Sequence, residues 1–221
     1  MHSATVPATQ AGASVRNTGA NSCTAMRVAG REPLLIKEAA YAFLAEEPAV
    51  SLRALAPELT VYVSGFSKNV ATGLRVGFVV APLQWVPAIE RTIRASTWNT
   101  PGVMTALVCG WIEDDTVARL EAEKRQEAMV RQTLAKKTLA GLKVIGHPAS
   151  YFLWMPLPEE VRADQAAAAL LAMNVAVATA QAFAISSPAP HAIRLALGSV
   201  ELEALQHAPH KVSQVIRRFA Y

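Results

Sequence analysis

Apolar residues fall in short continuous runs through the middle of the chain, with glycine and proline marking the gaps between them. Leu34-Leu35-Ile36 predicts a buried strand whose end carries the polar Lys37 and Glu38. Thr60-Val61-Tyr62-Val63-Ser64 is β-branched and aromatic and predicts a second strand; Phe78-Val79-Val80-Ala81 predicts a third, stopped by Pro82. Continuous runs, rather than alternating ones, predict strands covered on both faces, the α/β pattern.

Helical spacing follows. Residues Val86 to Ser96 predict one helix, and a longer helical region runs from about Val103 to Ala140, between Pro101 and Gly141. Its second half is dense in Glu, Lys and Arg, which reads as a solvated face with i,i+4 pairs such as Glu121–Arg125. Beyond Gly141 the pattern predicts strands at Val144-Ile145 and Tyr151–Met155, a helix at 164–173, strands near 175–180 and 192–197, and a last helix at 202–219. That set forms a small α+β unit. Residues 1–32 show no sustained period and predict a loosely ordered lead-in. The expected division is therefore this lead-in, part of a larger α/β domain at 33–100, a connecting helix at 101–140 and a smaller α+β domain at 141–221.

Composition excludes several classes. The 221 residues are 52% hydrophobic and 17% charged, too apolar and too weakly charged for a disordered chain. The net charge of +4 is small and scattered, so it makes no case for nucleic acid. Cys23 and Cys109 form no CxxC or Cys/His cluster, which leaves structural zinc and a disulfide framework unsupported and suits a reduced, cytoplasmic protein. The Ala-rich stretch 166–185 is too weakly apolar for a spanning helix.

One segment carries chemistry. Lys68 follows a buried strand and precedes a glycine-containing turn, where partial desolvation is expected to favour the nucleophilic free amine. Lysine is the residue that forms Schiff bases with carbonyl cofactors. Arg75 lies between Gly73 and Gly77, glycines that would let the backbone approach a bulky anion, and Ser64 and Ser67 complete a set suited to a phosphate. The nucleotide phosphate loop is excluded, because Ser67 precedes the lysine and Asn69 follows it.

The run Ser64-Gly-Phe-Ser-Lys68 with Gly73-Leu-Arg75-Val-Gly77 resembles the lysine motif of fold-type I, pyridoxal-phosphate-dependent aminotransferases of class I/II, and within them the aminotransferase domain of MocR-type (GntR-family) regulators. Leu35-Ile-Lys-Glu38-Ala-Ala-Tyr41 is similar to the family's Asp-x-x-Tyr strand end, and His191-Ala-Ile-Arg194-Leu-Ala-Leu-Gly-Ser199 to its late arginine strand. The resemblance implies pyridoxal 5′-phosphate held by Lys68 as a Schiff base. It also implies Arg75, Ser64 and Ser67 at the phosphate, Tyr41 at the ring's phenolic oxygen, Glu38 at the pyridine nitrogen, and Arg194 on the substrate α-carboxylate. The chemistry implied is amino-group transfer between an amino acid and a 2-oxo acid, by a homodimer. Two positions depart from the family's pattern: Glu38 stands for its Asp, and Gly65 for its Ser or Thr. The chain is also expected to lack the family's N-terminal half, with Arg16-Asn17-Thr18-Gly19 a faint echo of the Asn-Pro-Thr-Gly loop. Two other readings stay open: a non-catalytic effector domain sensing the cofactor, and a truncated remnant of such a regulator. No winged helix is legible in the first 30 residues, so the chain is not expected to read DNA by itself.

Overall fold

The computed structural model describes residues 22–26, 34–47, 50–185, 187–198 and 200–220. They form two compact units, one reaching to Lys124 and one beginning at Arg125.

In the first unit, strands β1 (Ser22–Met26) and β2 (Leu34–Glu38) are followed by a single helical turn, α1 (Leu52–Leu55). Strands β3 (Thr60–Gly65) and β4 (Gly77–Val80) then precede helices α2 (Val86–Ser96) and α3 (Gly102–Glu113), and helix α4 (Thr116–Thr138) begins in this unit. The sheet order is β1-β2-β3-β4. The β2–β3 pairing is parallel, whereas β1–β2 and β3–β4 are antiparallel. The family resemblance implies a mixed, mostly parallel sheet; the described strands are mixed, with one parallel pairing of three. A short turn joins β3 to β4, and without a crossover two neighbouring strands can only run antiparallel. Ser22–Met26 lies within the expected lead-in, and the neighbouring β2 supplies its ladder. The Arg16–Gly19 echo lies outside the described residues.

Strand β4 differs from expectation. Its pattern predicts cover on both faces, yet Phe78, Val79 and Val80 are 42%, 39% and 42% exposed. Among the described residues it has a ladder partner on one side only, β3. Phe78 still touches Tyr62 and Phe66, with ring centroids at 6.2 and 5.9 Å.

The single connecting helix expected over 103–140 is two helices. The break falls at Asp114-Asp115, where Asp115 takes a left-handed conformation (φ 60°). The Asp114 carboxylate accepts from the Thr116 backbone N–H at 3.0 Å, which starts α4, and hydrogen bonds from the Thr116 side chain and backbone hold that carboxyl below the usual range. Aspartate is among the few residues that tolerate this backbone conformation and caps a helix, so the pair ends one helix and starts the next.

The second unit contains the rest of α4, then β5 (Phe152–Pro156), α5 (Ala163–Ala172), β6 (Ala178–Thr179), β7 (Ala192–Ala196) and α6 (Leu202–Ala220). The sheet is antiparallel in the order β5-β7-β6. Val144-Ile145 contributes one bridge, Ile145 to Trp154, and β6 is shorter than its apolar run predicts. Leu153 and Met155 on β5 and Ile193 and Leu195 on β7 form the buried face; α5 adds Ala166 and Leu170, and α6 adds Leu205, Val212 and Ile216 at helical spacing.

The charged half of α4 is not simply a solvated face. Arg131 and Gln132 are 6% and 1% exposed. Arg131 Nη1 donates to the carbonyls of Leu197 and Val200 at 2.8 and 2.6 Å, and Nε donates to Glu127 at 2.9 Å. Gln132 Nε2 donates to the carbonyls of Ser150 and Phe152. The Tyr151 hydroxyl donates to Glu127, and burial together with that carboxylate pushes the hydroxyl well above the ordinary tyrosine range. These bonds satisfy the carbonyls that flank β5 and β7, which explains why long polar side chains occupy the inner face of the helix. No helix among the described residues is long and apolar enough to cross a membrane.

Leu153 is fully buried at the centre of this unit. Replacing Leu153 with Ala is expected to destabilise the chain by about 2–5 kcal/mol, read as a lower midpoint in urea unfolding followed by circular dichroism. A midpoint equal to that of the parent chain would contradict the core as described.

Candidate functional site

Strands β2 and β3 run parallel, with Glu38 opposite Val63, so both leave the sheet at the same edge. Ligand sites of α/β sheets lie at such carboxyl ends. Glu38 and Tyr41 follow from one strand; Ser64, Ser67 and Lys68 follow from the other.

The turn after β3 is built from its backbone and its apolar inner face. Phe66 N–H donates to Val76 O at 3.0 Å, and Phe66 O accepts from Val70 and Ala71 at 3.0 and 3.1 Å. Phe66, Val70, Leu74 and Val76 are buried with Val108 of α3, and Met104, Trp111, Val117 and Leu120 pack against them. One helical turn of chain places residue 68 on the side opposite residues 66 and 70. Burying Phe66 and Val70 therefore turns Lys68 outward. It is exposed, where partial desolvation was expected, and its Nζ lies 6.0 Å from the centroid of the Tyr41 ring.

Gly65 has a geometric cause. A Cβ there would lie 2.8 Å from Val76 O and 3.0 Å from Gly77 Cα, so the serine or threonine of the family's pattern does not fit this backbone crossing. Gly77 belongs to the same crossing, since its Cβ would meet Ser64 O at 3.2 Å. The glycine at 77 thus serves the approach of β3 to β4, in place of the anion approach expected of it. Gly73 faces open space.

Arg75 is exposed and holds a left-handed backbone (φ 53°, ψ 24°) at the end of a 3-10 turn, Thr72–Leu74. A long side chain in that region costs roughly 1–2 kcal/mol relative to ordinary helical backbone. Such strain concentrates at functional positions. The Ser64 hydroxyl donates to Ala39 O at 3.3 Å, so a contact from it to a phosphate requires leaving that bond. Ser67 is half-buried beside Lys68. Glu38 is exposed, and its Oε1 accepts from Ala40 N–H at 2.6 Å, which ties the carboxylate to the strand end.

Arg194 lies on β7 in the second unit, in register with Trp154 on one side and Ala178 on the other. Its guanidinium carbon sits 4.7 Å from the Phe152 ring centroid and 4.3 Å from that of Phe183. Its Nε is buried without a hydrogen-bond partner, and no carboxylate pairs with it among the described residues. A guanidinium packed against two rings offers its fork of donors to an oxyanion.

Four further residues stand at these groups. Asn69 is 8% exposed, and its Nδ2 donates to Glu121 Oε1 at 2.6 Å. Asn69 directly follows the lysine, which was a usable signal. Glu121, Phe152 and Phe183 are brought in by the fold and have no local signature.

The residues suit a phosphorylated aldehyde. An exposed primary amine, a phenol, a carboxylate and a strained exposed arginine gather at the edge of one sheet, and an unpaired guanidinium stands in the other unit.

Comparison with known proteins agrees. The aminotransferase class I and II family matches residues 24–212. The HTH-type transcriptional regulator YdeF of Bacillus subtilis is 23% identical over 164 residues, covering 74% of this chain and 36% of YdeF. The 2-aminoadipate transaminase of Thermus thermophilus is 23% identical over 162 residues, covering 71% of this chain and 41% of the transaminase. The structure of LysN, the α-aminoadipate aminotransferase of Thermus thermophilus, superposes with a TM-score of 0.74 at 21% identity, over 84% of this chain and 50% of LysN. The chain thus spans half or less of the length of these relatives. With the match covering most of the sequence, the chain belongs to the class I and II aminotransferases, the family whose cofactor is pyridoxal 5′-phosphate.

Proposed function

We propose that this chain binds pyridoxal 5′-phosphate at Lys68 and serves amino-group transfer between an amino acid and a 2-oxo acid. The observation that carries this reading is the exposed Lys68 amine beside Tyr41, at the edge where the parallel strands β2 and β3 end. When bound, the cofactor supplies an aldehyde carbon that takes up amines and a ring that draws electrons from the substrate Cα. Lys68 provides the attaching amine and, once released, the base that moves the proton at Cα. Arg75 pairs with the phosphate, with help from Ser67 and Ser64. Tyr41 would hydrogen-bond the phenolic oxygen of the bound cofactor, and Glu38 would take the role of the family's aspartate at the pyridine nitrogen. Arg194 takes the substrate carboxylate in a bidentate pair, its plane set by Phe152 and Phe183. The proposed setting is a cytoplasmic homodimer that makes no direct nucleic-acid contact through this chain.

A second reading is supported by the match to an HTH-type regulator. In it the same residues hold the cofactor for sensing and no transfer follows. Glu38 supports this reading, because its extra methylene displaces the carboxylate, and a shift of about 1 Å in such a site can cost around a hundredfold in rate.

Mixing the purified chain with pyridoxal 5′-phosphate is expected to give a visible absorption band and, after borohydride reduction, a mass increment on the peptide containing Lys68. Lys68→Ala abolishes both. A chain that gives no increment, or a variant that keeps it, overturns the reading. Decay of the band on adding an amino acid, with release of the 2-oxo acid, separates transfer from sensing.

Arg194→Lys is expected to weaken the response to amino acids and 2-oxo acids about ten- to a hundredfold, the range of a lost charge-assisted pair, with cofactor capture unchanged. Titrations of the absorption band against a panel of such acids measure this. Equal midpoints in both chains would remove Arg194 from the site.

A further inference from the structure

We propose that Asn69 and Glu121 are positioning residues for Lys68, their hydrogen bond locking the rotation of the turn that presents the amine. This rests on the reading of Lys68 as the attachment site.

The turn is otherwise held in two ways. Its backbone closes on itself through Phe66 O, which shapes the loop but ties it to nothing beyond β4. Its inner side chains, Phe66 and Val70, are buried in the apolar cluster around Val108. Apolar burial has no preferred direction, so it sets the depth of the turn and leaves its rotation loosely defined. The residue adjacent to the lysine supplies the missing direction. Asn69 Nδ2 donates to Glu121 Oε1 on α4 at 2.6 Å, a bond to a carboxylate from a part of the chain 52 residues away.

The orientation of the amide follows from the partner. The Glu121 oxygen accepts here, so the Asn69 amide nitrogen faces it and the amide oxygen faces away. That oxygen, Oδ1, is buried without a partner among the described residues. An unpaired buried acceptor is unfavourable, and a leucine or methionine filling the same inner position would avoid it. A side chain chosen for stability alone would therefore be apolar. The polar choice buries a penalty and gains a directional bond one residue from the amine.

The experiment uses Glu121→Ala, Glu121→Gln and Asn69→Ala, with three measurements. The first is hydrogen exchange of the amides of residues 66–71 with no cofactor added. The second is the affinity for pyridoxal 5′-phosphate, whose aldehyde engages Lys68. The third is the affinity for pyridoxamine 5′-phosphate, which shares the ring and phosphate but has no aldehyde. Loss of a charge-assisted bond is expected to raise exchange at Val70 and Ala71 about tenfold in Glu121→Ala and in Asn69→Ala, and to weaken pyridoxal 5′-phosphate binding by a similar factor. Pyridoxamine 5′-phosphate binding stays at the parent value. Glu121→Gln keeps an acceptor oxygen and recovers most of both effects. Equal loss for the two ligands would make the pair merely structural and overturn the proposal, as would exchange unchanged in both alanine variants. If Glu121→Ala does not fold, Asn69→Ala decides, because it leaves the Glu121 carboxylate in place. If the parent chain captures no pyridoxal 5′-phosphate, the functional reading fails, and accelerated or unchanged exchange still decides whether the bond holds the turn.

Discussion

The depth at which the lysine turn is seated, and the outward side on which Lys68 stands, depend on one apolar contact, the burial of Phe66 and Val70 against Val108. Residues three and four apart in a tight turn share a face, so removing 66 and 70 from water leaves 68 on the opposite side. The backbone crossing at Gly65 and Gly77 allows the turn to begin, because two chains approach there more closely than any Cβ permits. The edge formed by the ends of β2 and β3 then sets Lys68 beside Tyr41. The lysine turn follows from that packing and that crossing, while Glu38 and Tyr41 follow from the end of β2.

The second unit solves a different problem, presenting a cation on a buried sheet. Arg194 occupies the central strand, where an uncompensated charge is costly. Two aromatic rings packed against the guanidinium offset part of that cost without engaging its donors. Arg131 and Gln132 satisfy the carbonyls around the neighbouring strand ends, which fixes the sheet that carries it. The two arginines differ in how they are held: buried Arg131 has hydrogen-bond partners within the fold, while half-buried Arg194 packs against rings and has no carboxylate partner among the described residues.

Belonging to the class I and II aminotransferases accounts for the order of these elements, and the chain covers half or less of the relatives it matches. Strand β4 is exposed among the described residues although its apolar pattern is that of a strand covered on both faces. Relatives named as regulators and as transaminases match the same region, so the fold by itself does not choose between sensing and turnover.

The sequence by itself determined what depends on neighbours along the chain. The strands at 34–38 and 60–65, the helices α2, α5 and α6, and the Lys68–Arg75 motif are all legible, because periodicity, proline stops and short-range spacing are local properties. Local pattern failed where a partner distant in sequence decides the outcome. Ser22–Met26 becomes a strand because β2 pairs with it, and the helix expected over 103–140 breaks because Asp115 adopts a conformation that periodicity does not register. Burial of Arg131 on a helix face that reads as solvated, the rings around Arg194, and the bond from Asn69 to Glu121 all come from tertiary structure alone. The physical reason is the same in each case: a hydrogen bond or a stacked ring needs a definite distance and angle, and residues tens of positions apart acquire these only once the chain is folded.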